Sequence, residues 1–162
     1  MIIGIDIGGV VIAKSDERSD TSFLGGNFLL TPAVEGAFDS IARLHSIGGY
    51  RCIIVSKCGP SFQSRTKQWL AHHDFYRLTG VAEEDVHFCV RRSEKAPICR
   101  ALGVTHFIDD RLDVLDPMLE VPHRYLFQPN AKDEGRWWKW HLHGSSIHLC
   151  RDWGEVLRLT KT

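Results

Sequence analysis

The sequence predicts an α/β fold in three layers, with helices on both faces of a central, mostly parallel sheet. Short apolar runs alternate along the chain with amphipathic stretches of helix length, which is typical of parallel strands joined by helices. The strand-like runs are continuously apolar, as expected of strands buried on both faces. Since ligands of such sheets bind beyond the carboxyl ends of the strands, functional residues are expected directly after these runs.

Size and charge restrict the class of protein. The chain has 162 residues, of which 43% are hydrophobic and 25% charged, so we expect one globular domain over residues 1–162. Lys+Arg and Asp+Glu both total 20, and this zero net charge argues against a nucleic-acid coat or membrane-surface protein, although a local nucleic-acid patch stays open. Apolar runs too short for a bilayer and a start without basic residues predict no membrane partner and a cytoplasmic location.

Five cysteines are scattered along the chain, and no C-x-x-C pair occurs. An odd number with irregular spacing is typical of reduced thiols rather than of a disulfide framework. The spacing of Cys52 and Cys58 does not match a zinc site.

The first half of the chain predicts two strand–helix units. Residues 2–7 form a first buried strand, and residues 32–47 form an amphipathic helix with apolar side chains at three- and four-residue steps. Between them, residues 13–31 are polar and glycine-rich, which predicts a long loop or a small flap. Residues 51–56 form a second strand, and residues 57–84 a helical segment that contains a helix over 62–72.

The rest of the chain continues the alternation of strands and helices. The expected strands cover 85–90, 105–108, 124–127 and 147–150, and the expected helices cover 95–102 and 153–159.

Chemically useful side chains follow three of these strands. Asp6 follows the first strand, Ser56 ends the second, and the Asp109–Asp110 pair ends the fourth, while Lys95 opens the preceding helix. Clustered carboxylates repel each other unless a cation intervenes, and Mg2+ is the common hard cation for oxygen ligands. A hydroxyl and an ammonium group add what a phosphoryl group needs. The set therefore favours phosphoryl transfer through an aspartyl-phosphate.

Four motifs contain these residues, in chain order: Asp6-Ile7-Gly8-Gly9-Val10, Ile53-Ile54-Val55-Ser56, Ser93-Glu94-Lys95-Ala96-Pro97 and Phe107-Ile108-Asp109-Asp110-Arg111. In type and order they resemble the motifs of the haloacid dehalogenase-like (HAD) phosphohydrolases. The resemblance covers nearly the whole chain and implies a HAD-like, Rossmann-like fold; the fourth motif also resembles that of the 5'-nucleotidase branch.

The resemblance implies a nucleophile and a metal site. Asp6 would attack phosphorus. Mg2+ would be held by the Asp6 carboxylate, the backbone carbonyl of Gly8 and Asp110, with Asp109 assisting directly or through water. The acidic pair favours a metal-dependent phosphohydrolase over a dehalogenase, because dehalogenases need no metal.

The resemblance also implies where a phosphorylated substrate binds. Ser56 and Lys95 would bind the transferring phosphoryl oxygens, and Lys95 would keep the nucleophile ionised. Gly9, Lys57 and Arg111 are expected to contact the substrate at the edge of the site.

One position departs from the family pattern. The family's phosphatases usually carry a second Asp two residues after the nucleophile, which protonates the leaving group, and here that residue is Gly8. Three interpretations stay open: a substrate with a good leaving group, a proton donor from elsewhere, or a module that binds phosphate or nucleotide without turnover. His45, His72 and His73 are the candidate donors.

A second resemblance concerns only the first turn. Gly4-Ile5-Asp6-Ile7-Gly8-Gly9 resembles the phosphate-binding turn of actin-like ATPases and sugar kinases, with residues 10–13 as the second strand of a hairpin. Such proteins need two domains and about twice this length. The chain length and the later motifs disfavour this alternative.

The space left for a cap domain is small. Residues 13–31 and 57–84 accommodate a flap or a few helices, so the sequence resembles HAD members without a large cap. Such open sites often take nucleotides or macromolecules, or use a partner subunit as a lid. A small-molecule, nucleotide or macromolecular substrate and a homodimer are therefore all compatible with the sequence.

Three tryptophans lie close together near the C-terminus. Trp137, Trp138 and Trp140 could stack on a nucleobase or sugar. Their helical spacing favours the alternative that Trp137 and Trp140 pack in the core while Trp138 points outward.

Overall fold

The computed structural model describes residues 1–14, 26–141 and 143–162. Six strands alternate with seven α-helices in this part of the chain. The strands are β1 (Ile2–Ile5), β2 (Arg51–Lys57), β3 (Val86–Cys89), β4 (His106–Asp109), β5 (His123–Phe127) and β6 (Ile147–Cys150). The helices are α1 (Ala37–Ser46), α2 (Pro60–His72), α3 (Phe75–Thr79), α4 (Lys95–Leu102), α5 (Leu112–Leu115), α6 (Ala131–Trp140) and α7 (Trp153–Thr160).

The six strands form one sheet in the order β3-β2-β1-β4-β5-β6, and each strand is parallel to its neighbours. The order places β1 and β4 side by side at the centre, with Ile5 opposite Ile108. The carboxyl ends of β1, β2 and β4 therefore meet at one edge. The predicted α/β class with a central parallel sheet is confirmed.

Two apolar cores lie on opposite faces of the sheet. One core packs Ile3 and Ile5 of β1 against helices that include α1 and α7. The other packs Ile53 and Val55 of β2 against α4 and α5. Burial of these apolar side chains is the main favourable contribution to stability. The result is three layers: helices, sheet, helices.

The first helix begins later than the sequence pattern predicts. Residues 32–34 are extended, because they pair with the segment after β1: the Ala13 amide donates to the Pro32 carbonyl (3.0 Å) and the Val34 amide to the Val11 carbonyl (2.8 Å). The helix starts after Gly36, whose φ of 75° is left-handed and therefore not helical. Within the predicted flap over 13–31, residues 15–25 lie outside the described residues.

The actin-like alternative is wrong. It requires the strand after β1 to return as its antiparallel partner, but both neighbours of β1 are parallel to it. Residues 11–13 instead bridge to the segment around Ala33.

Several smaller expectations can be compared with the structure. All five cysteines are buried and free. Among the described residues, no helix has the length and apolar character to cross a membrane. Trp137 packs against the second core and Trp138 points outward, but the core position expected for Trp140 is wrong, because it lies on the last turn of α6 and is 68% exposed.

A row of aromatic and histidine rings lines the amino-terminal half of β4 and β5. His106 stacks on His123 at 4.4 Å between ring centroids, and its Nδ1 lies 2.9 Å from the Thr105 hydroxyl. Burial and the neighbouring His123 lower the pKa of His106 to about 4. Between about pH 6.5 and pH 4, this imidazole is therefore mostly neutral in the folded protein but mostly charged in the unfolded chain.

We predict that His106 lowers stability in acid. Because its folded pKa lies below the unfolded value of about 6.5, the unfolded chain binds more protons, so stability is lost as the pH falls from about 6.5 towards 4. The stability advantage of wild type over His106→Gln should shrink by up to about 3 kcal/mol over this range. Urea unfolding at pH 7.5 and 4.5 measures it, with exposed His72→Gln as the control; an advantage that does not change with pH would contradict the prediction.

Candidate functional site

Three carboxylates converge where β1 and β4 end. Asp6 directly follows β1, and its amide donates to the Ile108 carbonyl at 3.0 Å, which extends the β1–β4 pairing by one residue. Asp109 ends β4 and Asp110 follows it. One oxygen from each carboxylate lies within 4.8 Å of the others, and all three residues are buried. The parallel register thus brings together residues that are about a hundred positions apart in the chain.

Lys95 lies beneath this cluster as the first residue of α4. Its Nζ donates to Asp6 Oδ1 at 2.8 Å and to Asp109 Oδ2 at 2.7 Å, and its side chain is 3% exposed. Burial alone would lower the pKa of Lys95, but Asp109 and Asp6 outweigh burial and raise it. The ammonium group therefore stays charged and neutralises part of the cluster.

The two carboxylates of the acidic pair have different surroundings. Asp109 is fully buried, bonded to Lys95, and accepts the Arg111 amide at 3.0 Å. Asp110 lies at the surface of a pocket beside Asp6. Burial, together with the carboxylate of Asp6, raises the pKa of both groups. A cation close to the cluster would therefore stabilise the charged forms of these carboxylates.

The pocket is the opening through which this cluster meets solvent. Ser56 from the end of β2 is buried at its base, and Lys57 and Arg111 line it with Arg92. The full lining is Asp6, Gly8, Lys14, Ser56, Lys57, Arg92, Lys95, Asp110, Arg111 and Val114. Of the residues expected from the sequence, the pocket thus collects Asp6, Gly8, Ser56, Lys57, Lys95, Asp110 and Arg111.

Two expected residues lie beside the pocket rather than on its surface. Asp109 is behind it, held by Lys95. Gly9 lines a neighbouring cleft, which also contains Lys14, Asp110, Arg111, Glu35, Gln128 and Asn130. The cleft and the pocket share three residues, so they adjoin each other.

A tight turn after β1 shapes this part of the site. The Ile7 carbonyl accepts from the amides of Val11 (2.9 Å) and Ile12 (3.0 Å), which reverses the chain. Gly9 has a φ of 78°, a conformation that favours glycine. A Cβ at this position would lie 3.0 Å from Lys14 Cε and 3.1 Å from Asp110 Oδ2. The glycine thus permits Lys14 to approach the carboxylates.

Lys14 is the functional candidate that the sequence pattern did not indicate. Its Nζ bonds Asp110 Oδ2. It is only eight residues after Asp6, within the stretch expected to be a loop, and a lone lysine there carries no motif. The turn at Ile7 and the pairing of Ala13 with Pro32 bring it back to the site.

The three histidines considered as proton donors do not line the pocket. His73 stacks on Trp69 with ring centroids 4.0 Å apart and bonds the Leu29 carbonyl. His72 is exposed on α2, and His45 packs against Gly80. The expectation of a histidine at the site is therefore not met by these residues.

The oxygen donors fit a hard divalent cation. Asp6 and Asp110 both present a carboxylate to the pocket, and Gly8 lines it beside them. Carboxylate and carbonyl oxygens without sulfur or imidazole are the ligands that Mg2+ prefers. The donor set is therefore consistent with a magnesium site.

Comparisons with known proteins show the fold. No protein-family model and no curated protein matches the sequence. A solved structure of a candidate haloacid dehalogenase-like hydrolase from Burkholderia xenovorans LB400 is similar, with a TM-score of 0.57 and 15% identity over 86% of this chain. The match covers 63% of that protein's chain. A de novo designed Rossmann 3x3 protein matches with a TM-score of 0.49 and 10% identity, over 99% of this chain and 93% of its own. This chain therefore shares the fold of the Burkholderia structure, a three-layer α/β fold with a parallel sheet.

Proposed function

We propose that this protein is a Mg2+-dependent phosphohydrolase that acts through an aspartyl-phosphate on Asp6. The observation that carries the proposal is the convergence of Asp6, Ser56, Lys95 and Asp110 on one pocket of a HAD-like fold. A nucleophilic carboxylate, a hydroxyl and a buried ammonium group in one pocket are what phosphoryl transfer needs.

The metal would be held by the carboxylates of Asp6 and Asp110 and by the Gly8 carbonyl. When bound, it would neutralise charge on the phosphoryl oxygens. The role left to Asp109 is to position Lys95, because its Oδ2 lies 2.7 Å from the ammonium and its other oxygen accepts the Arg111 amide.

The chain's own residues would carry the two chemical steps. Asp6 Oδ1 is bonded to Lys95, so Oδ2 is the oxygen that attacks phosphorus. The new Asp6–phosphorus bond forms as the ester P–O bond breaks, and the leaving oxygen departs with the bonding electron pair. Water then attacks phosphorus as the Asp6–phosphorus bond breaks; its protons leave with the inorganic phosphate, and the carboxylate is restored. Ser56 and Lys95 bind the phosphoryl oxygens throughout.

The absence of a side chain at Gly8 selects among substrates. No carboxyl group can protonate the leaving oxygen from this position, and such help is worth roughly 10²–10⁴-fold in rate. Aryl and acyl phosphates, whose leaving groups depart without protonation, should therefore react faster than alkyl phosphates. The described residues supply no separate cap over the pocket, so nucleotides and phosphorylated macromolecules belong to the same substrate panel.

The direct test is a phosphatase screen. Aryl, acyl, alkyl and nucleotide phosphates are incubated with the full chain with Mg2+ and with EDTA, and released phosphate is measured. We expect hydrolysis that requires Mg2+, is fastest for aryl or acyl phosphates, and is blocked by beryllium fluoride, which mimics the acyl phosphate. Phosphate release that is unchanged in EDTA would contradict the proposal.

A second candidate function rests on the same glycine. Without a proton-transferring side chain, the pocket could bind a phosphate or nucleotide without turning it over. Equilibrium binding of phosphate that depends on Mg2+, with no hydrolysis across the panel, would favour this module over the enzyme.

We predict that Gly8→Asp raises activity towards alkyl phosphates. Unlike Gly9, Gly8 lies outside the left-handed region of the backbone, so an L side chain is compatible with its conformation. The added carboxyl group should accelerate alkyl phosphates by about 10²-fold or more while changing aryl phosphates much less. The ratio of the two kcat/KM values measures the effect, and Gly8→Asn is the control without a transferable proton. An equal gain in Gly8→Asn would contradict a proton-transfer explanation.

A further inference from the structure

The Lys14–Asp110 ion pair is the feature that the proposed mechanism does not explain. Lys14 Nζ bonds Asp110 Oδ2, and the two side chains are 22% and 10% exposed. This ammonium therefore contacts one of the two carboxylates proposed to hold Mg2+. Lys95, in contrast, is bonded to Asp6 and Asp109 and leaves Asp110 to Lys14.

A lysine and a divalent cation compete for the same carboxylate oxygen. Both are positive, so their simultaneous contact with Asp110 Oδ2 is unfavourable. Lys14 has a flexible four-carbon stem whose ammonium can change partners without a change in the backbone. The Ala13 amide donates to the Pro32 carbonyl at 3.0 Å and holds the backbone directly before Lys14, so a change of partner requires movement of the side chain alone.

The surroundings supply a second position for the ammonium. Lys14 lines both the pocket that contains Ser56 and the adjoining cleft. A phosphoryl group bound at Ser56 would present oxygens to this same pocket. An ammonium released from Asp110 therefore has an anionic partner within the same pocket when phosphate is bound.

We propose that Lys14 is an exchangeable counter-ion: it neutralises Asp110 before the metal binds, and it moves to a phosphoryl oxygen of the substrate when the metal takes Asp110. This inference rests on the proposed function. It makes Lys14 a further substrate-binding residue. It also couples the binding of metal and phosphate, because phosphate gives Lys14 a new partner and thereby frees Asp110 for the metal. By linkage, the metal must strengthen phosphate binding by the factor by which phosphate strengthens metal binding.

The test compares two substitutions that each remove one positive charge from the same pocket. Mg2+ binding to wild type, Lys14→Met and Arg92→Met is measured by titration calorimetry, with and without inorganic phosphate; Arg92 lines the same pocket. We expect Lys14→Met to bind Mg2+ alone about tenfold or more tightly than wild type, and Arg92→Met to change affinity much less. Phosphate should tighten Mg2+ binding by about fivefold or more in wild type and Arg92→Met, and less in Lys14→Met.

Two results would overturn the inference. Equal tightening in Lys14→Met and Arg92→Met would show that only the general positive field of the pocket matters. Unchanged Mg2+ affinity in a folded Lys14→Met, checked against Lys14→Gln, would show that the lysine does not compete. In either case, Mg2+-dependent hydrolysis by wild type would leave the proposed function standing, whereas wild-type protein that binds no Mg2+ with or without phosphate would remove both.

Discussion

Replacement of Asp6 by asparagine is expected to abolish turnover of every phosphate ester that the protein hydrolyses. The amide keeps the size of the side chain and an oxygen acceptor for Lys95, which lies 2.8 Å from Oδ1. It removes the negative oxygen that would attack phosphorus. Loss of a covalent nucleophile costs on the order of 10⁴ to 10⁶-fold in kcat, so activity should fall below detection.

The measurement is phosphate release under saturating Mg2+, with folding checked by circular dichroism. Asp39→Asn is the matched control, since it makes the same carboxyl-to-amide change at an exposed position on α1. Asp6→Asn should also fail to form the beryllium fluoride complex, which requires the carboxylate. Activity within tenfold of wild type would remove Asp6 from the mechanism and leave the pocket as a binding site.

The central sheet could be predicted because burial on both faces leaves a strong pattern. The runs over 2–5 and 52–55 are nearly continuous apolar segments, and only a parallel arrangement places the polar residues that follow them at one edge. That geometry also predicted that Asp6, Ser56 and Asp110 would meet, although their roles stay predictions. Short helices left a weaker pattern: the four residues of α5 span barely one turn, so no apolar period could reveal them.

One missed helix did carry a local signal. The Asn130 side chain accepts the Asp133 amide at 2.8 Å and caps α6, and this Asn-x-x-Asp spacing is a recognisable helix start. The start of α1 could not be found in the same way. Residues 32–34 share the apolar character of the helix, but hydrogen bonds to the segment after β1 hold them extended. Tertiary pairing there outweighs local preference.

Two features of the site could not be derived from the residues alone. Asp109 and Asp110 are adjacent and identical, so only the family resemblance distinguished them, by giving Asp110 to the metal; in the structure, Asp109 points inward to Lys95 and Asp110 lines the pocket. The position of Lys14 depends on a three-dimensional turn, because its contact with Asp110 joins residues 96 positions apart. Non-local contacts of this kind leave no periodic pattern.

Replacement of Lys95 by methionine is expected to destabilise the fold by about 3–5 kcal/mol at pH 7, the usual cost of breaking a buried ion pair from one side. Lys95 is 3% exposed and bonds both Asp6 and Asp109. Methionine fills a similar volume without charge, so the loss comes from carboxylates left without their cation. Urea unfolding gives the free energy, and Lys132→Met, exposed on α6, controls for loss of a lysine.

The dependence on pH and on metal separates this explanation from a packing defect. Burial raises the pKa of Asp109 and Asp110. A carboxyl group whose pKa is higher in the folded than in the unfolded state stabilises the fold at low pH. This stability is lost as the pH rises through the folded pKa. Without Lys95 this loss should grow, so the deficit of Lys95→Met should be largest at neutral pH and shrink towards pH 4. Added Mg2+ should narrow it at pH 7, because a divalent cation at Asp6 and Asp110 replaces part of the missing charge. A deficit that is the same at both pH values, and with or without Mg2+, would mean that Lys95 contributes packing rather than charge.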